Sequence, residues 1–269
     1  MKAFFGIGGY LPPEGYMSWQ HLTFVSSLMV VMIGLAIFFG LMQKNKSYQN
    51  KNKVLIASAI LIDCLEIFKI VFFCVRDKDP MGWVSDLPLF LCSIQLIAIP
   101  LAAFSKGRIR EAALDFVLIF GILGAVFGTY GAGQNYACYP VLSFPNVISG
   151  LTHSISGFAS LYIGISGMAG MKKRNMPITF SILTGFCIAA YIVNSTVRNE
   201  DGELYLNYMF LMRDDGTPYQ MFYNLVNGNR VLYPLIVVAL FLAYITIFYL
   251  VWFWVRKQRA AKQSLTVNH

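Results

Sequence analysis

Apolar residues in this chain gather into seven long runs separated by short polar connections, at neither the period of a surface helix nor that of a half-buried strand. The runs cover roughly residues 21–42, 54–75, 87–105, 112–131, 147–169, 177–198 and 231–255. Crossing a hydrocarbon core takes about 20 helical residues, so each run predicts a transmembrane helix. The expectation is an all-α, polytopic membrane protein, a bundle of seven transmembrane helices forming a single transmembrane domain over residues 1–269. No internal repeat or low-complexity tract is visible.

Composition agrees: 57% of residues are hydrophobic and 13% charged, far from a soluble globular chain. Charge then gives the orientation, because Lys and Arg collect in short cytoplasmic loops. Alternate connections carry Lys44, Lys46, Lys51 and Lys53; Lys106, Arg108 and Arg110; Lys172, Lys173 and Arg174; and Arg256, Lys257, Arg259 and Lys262. The intervening ones hold Asp77, Asp79 and Asp86, then no charge from 132 to 146, then Glu200, Asp201, Glu203, Asp214 and Asp215. The N-terminus is therefore expected outside and the C-terminus in the cytoplasm. Trp19 and Trp83 fall at outer ends, Trp252 and Trp254 at an inner end. The net charge of +8 reads as loops near anionic headgroups rather than nucleic-acid binding. A signal peptide of the usual form is missing, so the first helix is expected to insert itself. A multi-pass protein of a bacterial plasma membrane fits these short loops.

Ionisable and polar side chains inside the runs are few, and such groups usually face the bundle interior. The second run carries Asp63, Glu66 and Lys69, the last two spaced as helical neighbours. On a helix starting near 87, Cys92 lies about 8 Å down; on one starting near 147, His153 lies about 9 Å down. Glu66 comes out slightly deeper, at about 13 Å, where it or Asp63 would orient the imidazole. Ser149, Gly150, Ser156, Gly157, Ser160 and Gly164 surround His153 in its helix, while Leu151, Ile155, Phe158 and Tyr162 take the opposite surface. Tyr191 and Asn194 share a face of the sixth run, and His21 opens the first. Asp115, towards the inner end of the fourth, is placed to reach Arg108 and Arg110. A cysteine in an apolar helix is ordinarily a small hydrophobe and a carboxylate beside a lysine an ion pair, so the convergence of groups carries the argument.

Of five cysteines, Cys64, Cys92 and Cys187 sit within runs; only Cys74 and Cys138 map near the outer surface, where a bridge is open to them. Asn194-Ser195-Thr196 matches a glycosylation acceptor but lies inside a helix. Gly121, Gly124, Gly128, Gly131 and Gly133 make the fourth run pliable towards its outer end. The connection from about 199 to 230 holds Asn207, Tyr208 and Phe210, with a turn signal at Asp214-Asp215-Gly216; it reads as a lid or as a solvated loop.

Several patterns occur together in order: Gln20-His21-Leu22, Glu66, Leu87-Pro88-Leu89 with Cys92, Phe144-Pro145 with His153, Asn207-Tyr208-Met209-Phe210-Leu211, and Tyr233. In these, over almost its full length, the chain resembles the YwaF-like integral membrane proteins, which include vertebrate transmembrane protein 164. One departure is Phe90, where the family commonly has a His. The resemblance implies about seven helices and, for the vertebrate member, an acyltransferase activity on phospholipids using the cysteine aligned with Cys92.

The residue chemistry fits that implication. A thiolate paired with a His base can hold an acyl group between lipids. The expected roles are Cys92 as nucleophile, His153 as base, Glu66 or Asp63 as orienting carboxylate, and Gln95 or Asn194 as oxyanion donor. Tyr191, His21, Asn207 and Tyr208 join Gln95 and Asn194 as substrate-binding candidates. Membrane phospholipids are the expected partners, without cofactor or metal. Two other readings stand beside it: a small-solute transporter or receptor with an outer polar vestibule, against which no broken helix is evident, and a zinc-dependent lipid hydrolase using His21, His153 and a carboxylate.

Overall fold

A computed structural model describes residues 2–199 and 201–267, with side chains as far as 260; Glu200, His269 and the side chain of Lys262 lie outside the described residues. The described residues are helical, with no strand. They fall into two compact units, residues 1–170 and 171–269.

In the first unit the helices are α1 (Lys2–Phe5), α2 (Trp19–Gln43), α3 (Tyr48–Arg76), α4 (Gln95–Phe104), α5 (Gly107–Thr129), α6 (Gly133–Cys138) and α7 (Phe144–Ser166). The second unit holds α8 (Met176–Thr196), α9 (Gln220–Leu225) and α10 (Leu232–Val267). Local signals set many of the ends. Ser18 caps α2 by accepting from the His21 N–H, and Ser47 caps α3 from Asn50. α7 opens on Pro145, whose missing N–H costs nothing in a first turn, and closes on Gly167 in the left-handed region.

Four stretches of the described residues are long and apolar enough to cross a membrane: Trp19–Gln43, Gly107–Cys138, Lys173–Thr196 and Leu232–Ala260. α3 and α7 have the length, at 29 and 23 residues, but carry more polar side chains. Large apolar side chains such as Val30, Phe38 and Leu41 stand more than half exposed along α2, as lipid-facing residues do and those of a soluble monomer seldom do. This is a membrane protein with several apolar helices.

The third predicted helix differs most. Only Gln95–Phe104 is helical, about 15 Å of rise, while 87–94 forms turns. Pro88 holds Leu87 extended, at φ −56° and ψ 142°, so the preceding turn cannot run on as a helix into this segment. The Ser93 hydroxyl, accepting from the Phe90 N–H, takes over a backbone donor that a helix would have used. Cys92 therefore sits on a turn just ahead of α4 and not within a helix.

α7 is the hub of the first unit, touching α2, α3, α4 and α5. Its small residues serve close packing: an added β-carbon at Gly157 would collide with Met32 and Ala125, and one at Gly150 with Leu28. Ser156 and Ser160 donate to the Gly121 and Leu118 carbonyls of α5. Tyr162, on the surface of this helix opposite His153, is fully buried and donates to the Lys51 carbonyl of α3. At the other end Phe144 anchors α7 in an aromatic knot with Phe5, Phe68, Phe72 and Phe73.

Candidate active site

His153 projects from α7 towards α5, and its ring is oriented by its own helix. Nδ1 lies 2.6 Å from the Ser149 carbonyl oxygen, with the Ser149 hydroxyl at 3.4 Å. A carbonyl only accepts, so Nδ1 carries a proton, and in the neutral ring Nε2 keeps its lone pair. That Nε2 is buried and makes no directed hydrogen bond among the described residues. The Cys92 thiol interacts with the ring, and the amide N–H groups of Cys92 and Ser93 lie beside the sulfur.

Both side chains border one cavity of about 250 Å³, with Glu66, Phe90, Ser93 and Thr152 among its walls. Phe90, the departure from the family pattern, is thus an apolar wall beside the thiol. A second cavity of about 400 Å³ shares Lys69, Ser85, Asp86, Asn135 and Ser149 with the first and adds Arg76, Asp77, Asp79 and Tyr139. The shared walls make two adjoining chambers at one end of the first unit.

Between the chambers runs a charge bridge. Lys69 Nζ lies 2.6 Å from Glu66 and 3.0 Å from Asp86, joining α3 to the turn that leads into the Cys92 segment. Arg76 pairs with Asp77 at 2.6 Å and donates to the Tyr10 hydroxyl, and its hydrogen bond holds the Asp77 carboxyl below the usual carboxylate range. Glu66 reaches His153 only as a more distant charge, so the orienting role expected of it belongs to the Ser149 carbonyl. Asp63 borders neither chamber and has no ion pair or hydrogen bond among the described residues.

The remaining candidates are engaged elsewhere. His21 is fully buried: Nδ1 accepts from the Met17 N–H, leaving Nε2–H to donate to the Thr129 carbonyl at 3.3 Å, and the ring packs 3.9 Å from that of Tyr136. It joins α2 to α5 and α6. No group of three metal-ligating side chains forms among the described residues, so the zinc set does not assemble. Gln95 is buried with neither amide atom bonded, and it borders neither chamber. Asp115 is also buried. Cys74 and Cys138 are both free thiols, so the bridge left open to them is not formed.

In the second unit the Asn194 amide is consumed by one partner, donating to the Tyr208 carbonyl at 3.0 Å and accepting its N–H at 2.8 Å. Asn207 ties the next turn by donating to Arg213 O and Asp215 and accepting from Met212 N–H. Tyr191 donates to the Arg230 carbonyl. Residues 206–211 of this connection are therefore folded against α8, while much of 215–230 is exposed.

Sequence reasoning missed Ser149, Lys69 with Asp86 as a bridge, and Asn135. It also misread the glycines of α5. Gly124 faces Cys92, whose Cα would lie 3.3 Å from an added β-carbon, and Gly128 faces His153 itself. They provide clearance, and their spacing of four was the available signal.

The comparisons with known proteins bear on the same residues. A family model, the TMEM164 family, matches residues 16–249. The chain belongs to this family. The matched span contains Cys92, His153, Asn135 and Asn194 alike. No curated protein and no solved structure matches.

Proposed function

We propose that this TMEM164-family chain is a membrane-embedded lipid acyltransferase or transacylase of the Cys-His type, with Cys92 as nucleophile and His153 as base. The observation that carries the reading is a thiol facing an imidazole whose Nδ1 proton is already committed to the Ser149 carbonyl. In the neutral ring Nε2 is then the nitrogen left to act as base.

In the proposed cycle the Cys92 S–H proton passes to Nε2 as sulfur attacks the carbonyl carbon of a phospholipid ester. The tetrahedral oxyanion collapses, the carbon–oxygen ester bond breaks, and the leaving alkoxide takes the proton back from Nε2. A lysolipid departs and an acyl-thioester remains on Cys92. An acceptor hydroxyl or amine then gives its proton to Nε2, attacks the thioester and restores the thiol.

The chain would cross the membrane seven times, with its third pass made of the 87–94 turns followed by α4. The pattern of basic connections supports an N-terminus outside, with the chambers in the outer half of a bacterial plasma membrane. One observation favours small-solute binding instead: the chambers carry Glu66, Asp77, Asp79 and Asp86 against Lys69 and Arg76, an acidic excess suited to a cation.

Mass spectrometry of the protein purified in native lipid tests the proposal. An acyl adduct on Cys92 that is lost in Cys92→Ser and His153→Ala is expected. A protein that transfers acyl chains equally well in both variants would sink it, and an adduct-free protein with unchanged lipids would favour solute binding.

A further inference from the structure

The two carboxamides that the sequence offers as oxyanion donors are not at the reacting centre: Asn194 is bonded on both sides to Tyr208, and Gln95 borders neither chamber. Five residues border both chambers, and four of them are otherwise accounted for. Lys69 and Asp86 neutralise each other, Ser149 is turned to His153, and Ser85 is exposed to solvent. The fifth is Asn135, on α6, partly buried, with a carboxamide that makes no hydrogen bond to the described residues.

From this placement we infer that Asn135 is the side-chain donor to the substrate carbonyl, a catalytic residue of the site. The inference rests on the acyl-transfer reading above and adds a residue to it. A primary amide suits the task because it donates without titrating, so it stabilises the oxyanion and cannot compete with His153 for the thiol proton. No charged group replaces it, since Lys69 is held by two carboxylates. Its position where the chambers meet puts the ester carbonyl beside Cys92 and the rest of the lipid headgroup in the larger chamber.

The test compares two acyl donors on the full chain in lipid nanodiscs. One is p-nitrophenyl butyrate, an ester with no headgroup; the other is a labelled-acyl phosphatidylethanolamine and phosphatidylglycerol mixture in vesicles. Asn135→Ala and the isosteric Asn135→Asp are each expected to slow Cys92 acylation by about 100-fold or more with both donors, the usual cost of one oxyanion donor. Iodoacetamide, which needs no oxyanion, should alkylate Cys92 at the wild-type rate in both variants, showing the site intact. Loss confined to the phospholipid would make Asn135 a headgroup contact and overturn the inference, as would retained acylation of both donors in either variant. Acylation of p-nitrophenyl butyrate that persists in Cys92→Ser would overturn the thiol mechanism itself, and this reading with it.

Discussion

The imidazole of His153 occupies the space where Gly128 would carry a side chain: a β-carbon built there overlaps the ring at Cδ2 and Nε2. Four residues earlier, Gly124 lies against the backbone of Cys92, where an added β-carbon would come within 3.3 Å of its Cα. The proposed nucleophile and base are thus seated against consecutive turns of one helix, and that helix is buried. In α5 and its extension 72% of the apolar window is inside the protein, against 28% for α2.

Gly128→Ala should therefore displace the base without touching it. The expected cost in stability is that of overpacking, about 1–3 kcal/mol. Acyl-adduct formation should be lost while the protein remains folded, read by thermal unfolding beside mass spectrometry. A Gly128→Ala protein with wild-type adduct yield would show that His153 does not need its present position.

The Lys69 bridge gives a second outcome. Lys69→Met leaves Glu66 and Asp86 facing a chamber without their cation, and stranding partly buried charges costs about 3 kcal/mol. Lys69→Arg should recover most of it. Thermal unfolding of the three proteins in one detergent decides this, and equal midpoints would mean that the bridge is screened by water in the chambers.

Asn194→Ala should loosen residues 206–211 and spare the thiol chemistry. Two bonds to Tyr208 are lost from a fully buried amide, each worth about 1–3 kcal/mol when its partner is stranded. Met209 and Phe210, held at φ 58° and 55° beyond it, would relax with it. Faster amide exchange over 205–215 with unchanged Cys92 alkylation is the expected pattern. Slower alkylation would restore Asn194 to a role in the site.

Chelation separates the thiol chemistry from a metal route. With both His21 nitrogens bonded inside the protein, treatment with 1,10-phenanthroline should leave Cys92 acylation unchanged. His21→Ala should lower stability by about 2 kcal/mol through two lost bonds and a cavity. Activity that falls with chelator and returns with zinc would revive the hydrolase reading.

Much of the helical layout was legible because the membrane imposes it one segment at a time. The predicted 21–42 became Trp19–Gln43 and 177–198 became Met176–Thr196, since run length and a capping Ser18 are local properties. The third helix was misjudged because apolar character was weighed and Pro88 was not. For the site, depth counting put Cys92 and His153 at one level, and they do share a cavity, although Cys92 reaches it on a turn. Asp63 failed the same logic: depth along a helix says nothing of which side chain turns towards α7.

By itself, then, the sequence determined where apolar helices run, their charge asymmetry, and that a thiol and an imidazole lie at similar depth. Those follow from solvent and helix rise, which act on neighbouring residues. Only the tertiary structure decided that the Ser149 carbonyl sets the His153 tautomer, that Gly128 leaves room for the ring, and that Asn194 belongs to Tyr208 while Asn135 meets the cavity. Each depends on backbone direction or on residues far apart in the chain, as 128 and 153 are, and hydrophobic periodicity carries no record of such contacts.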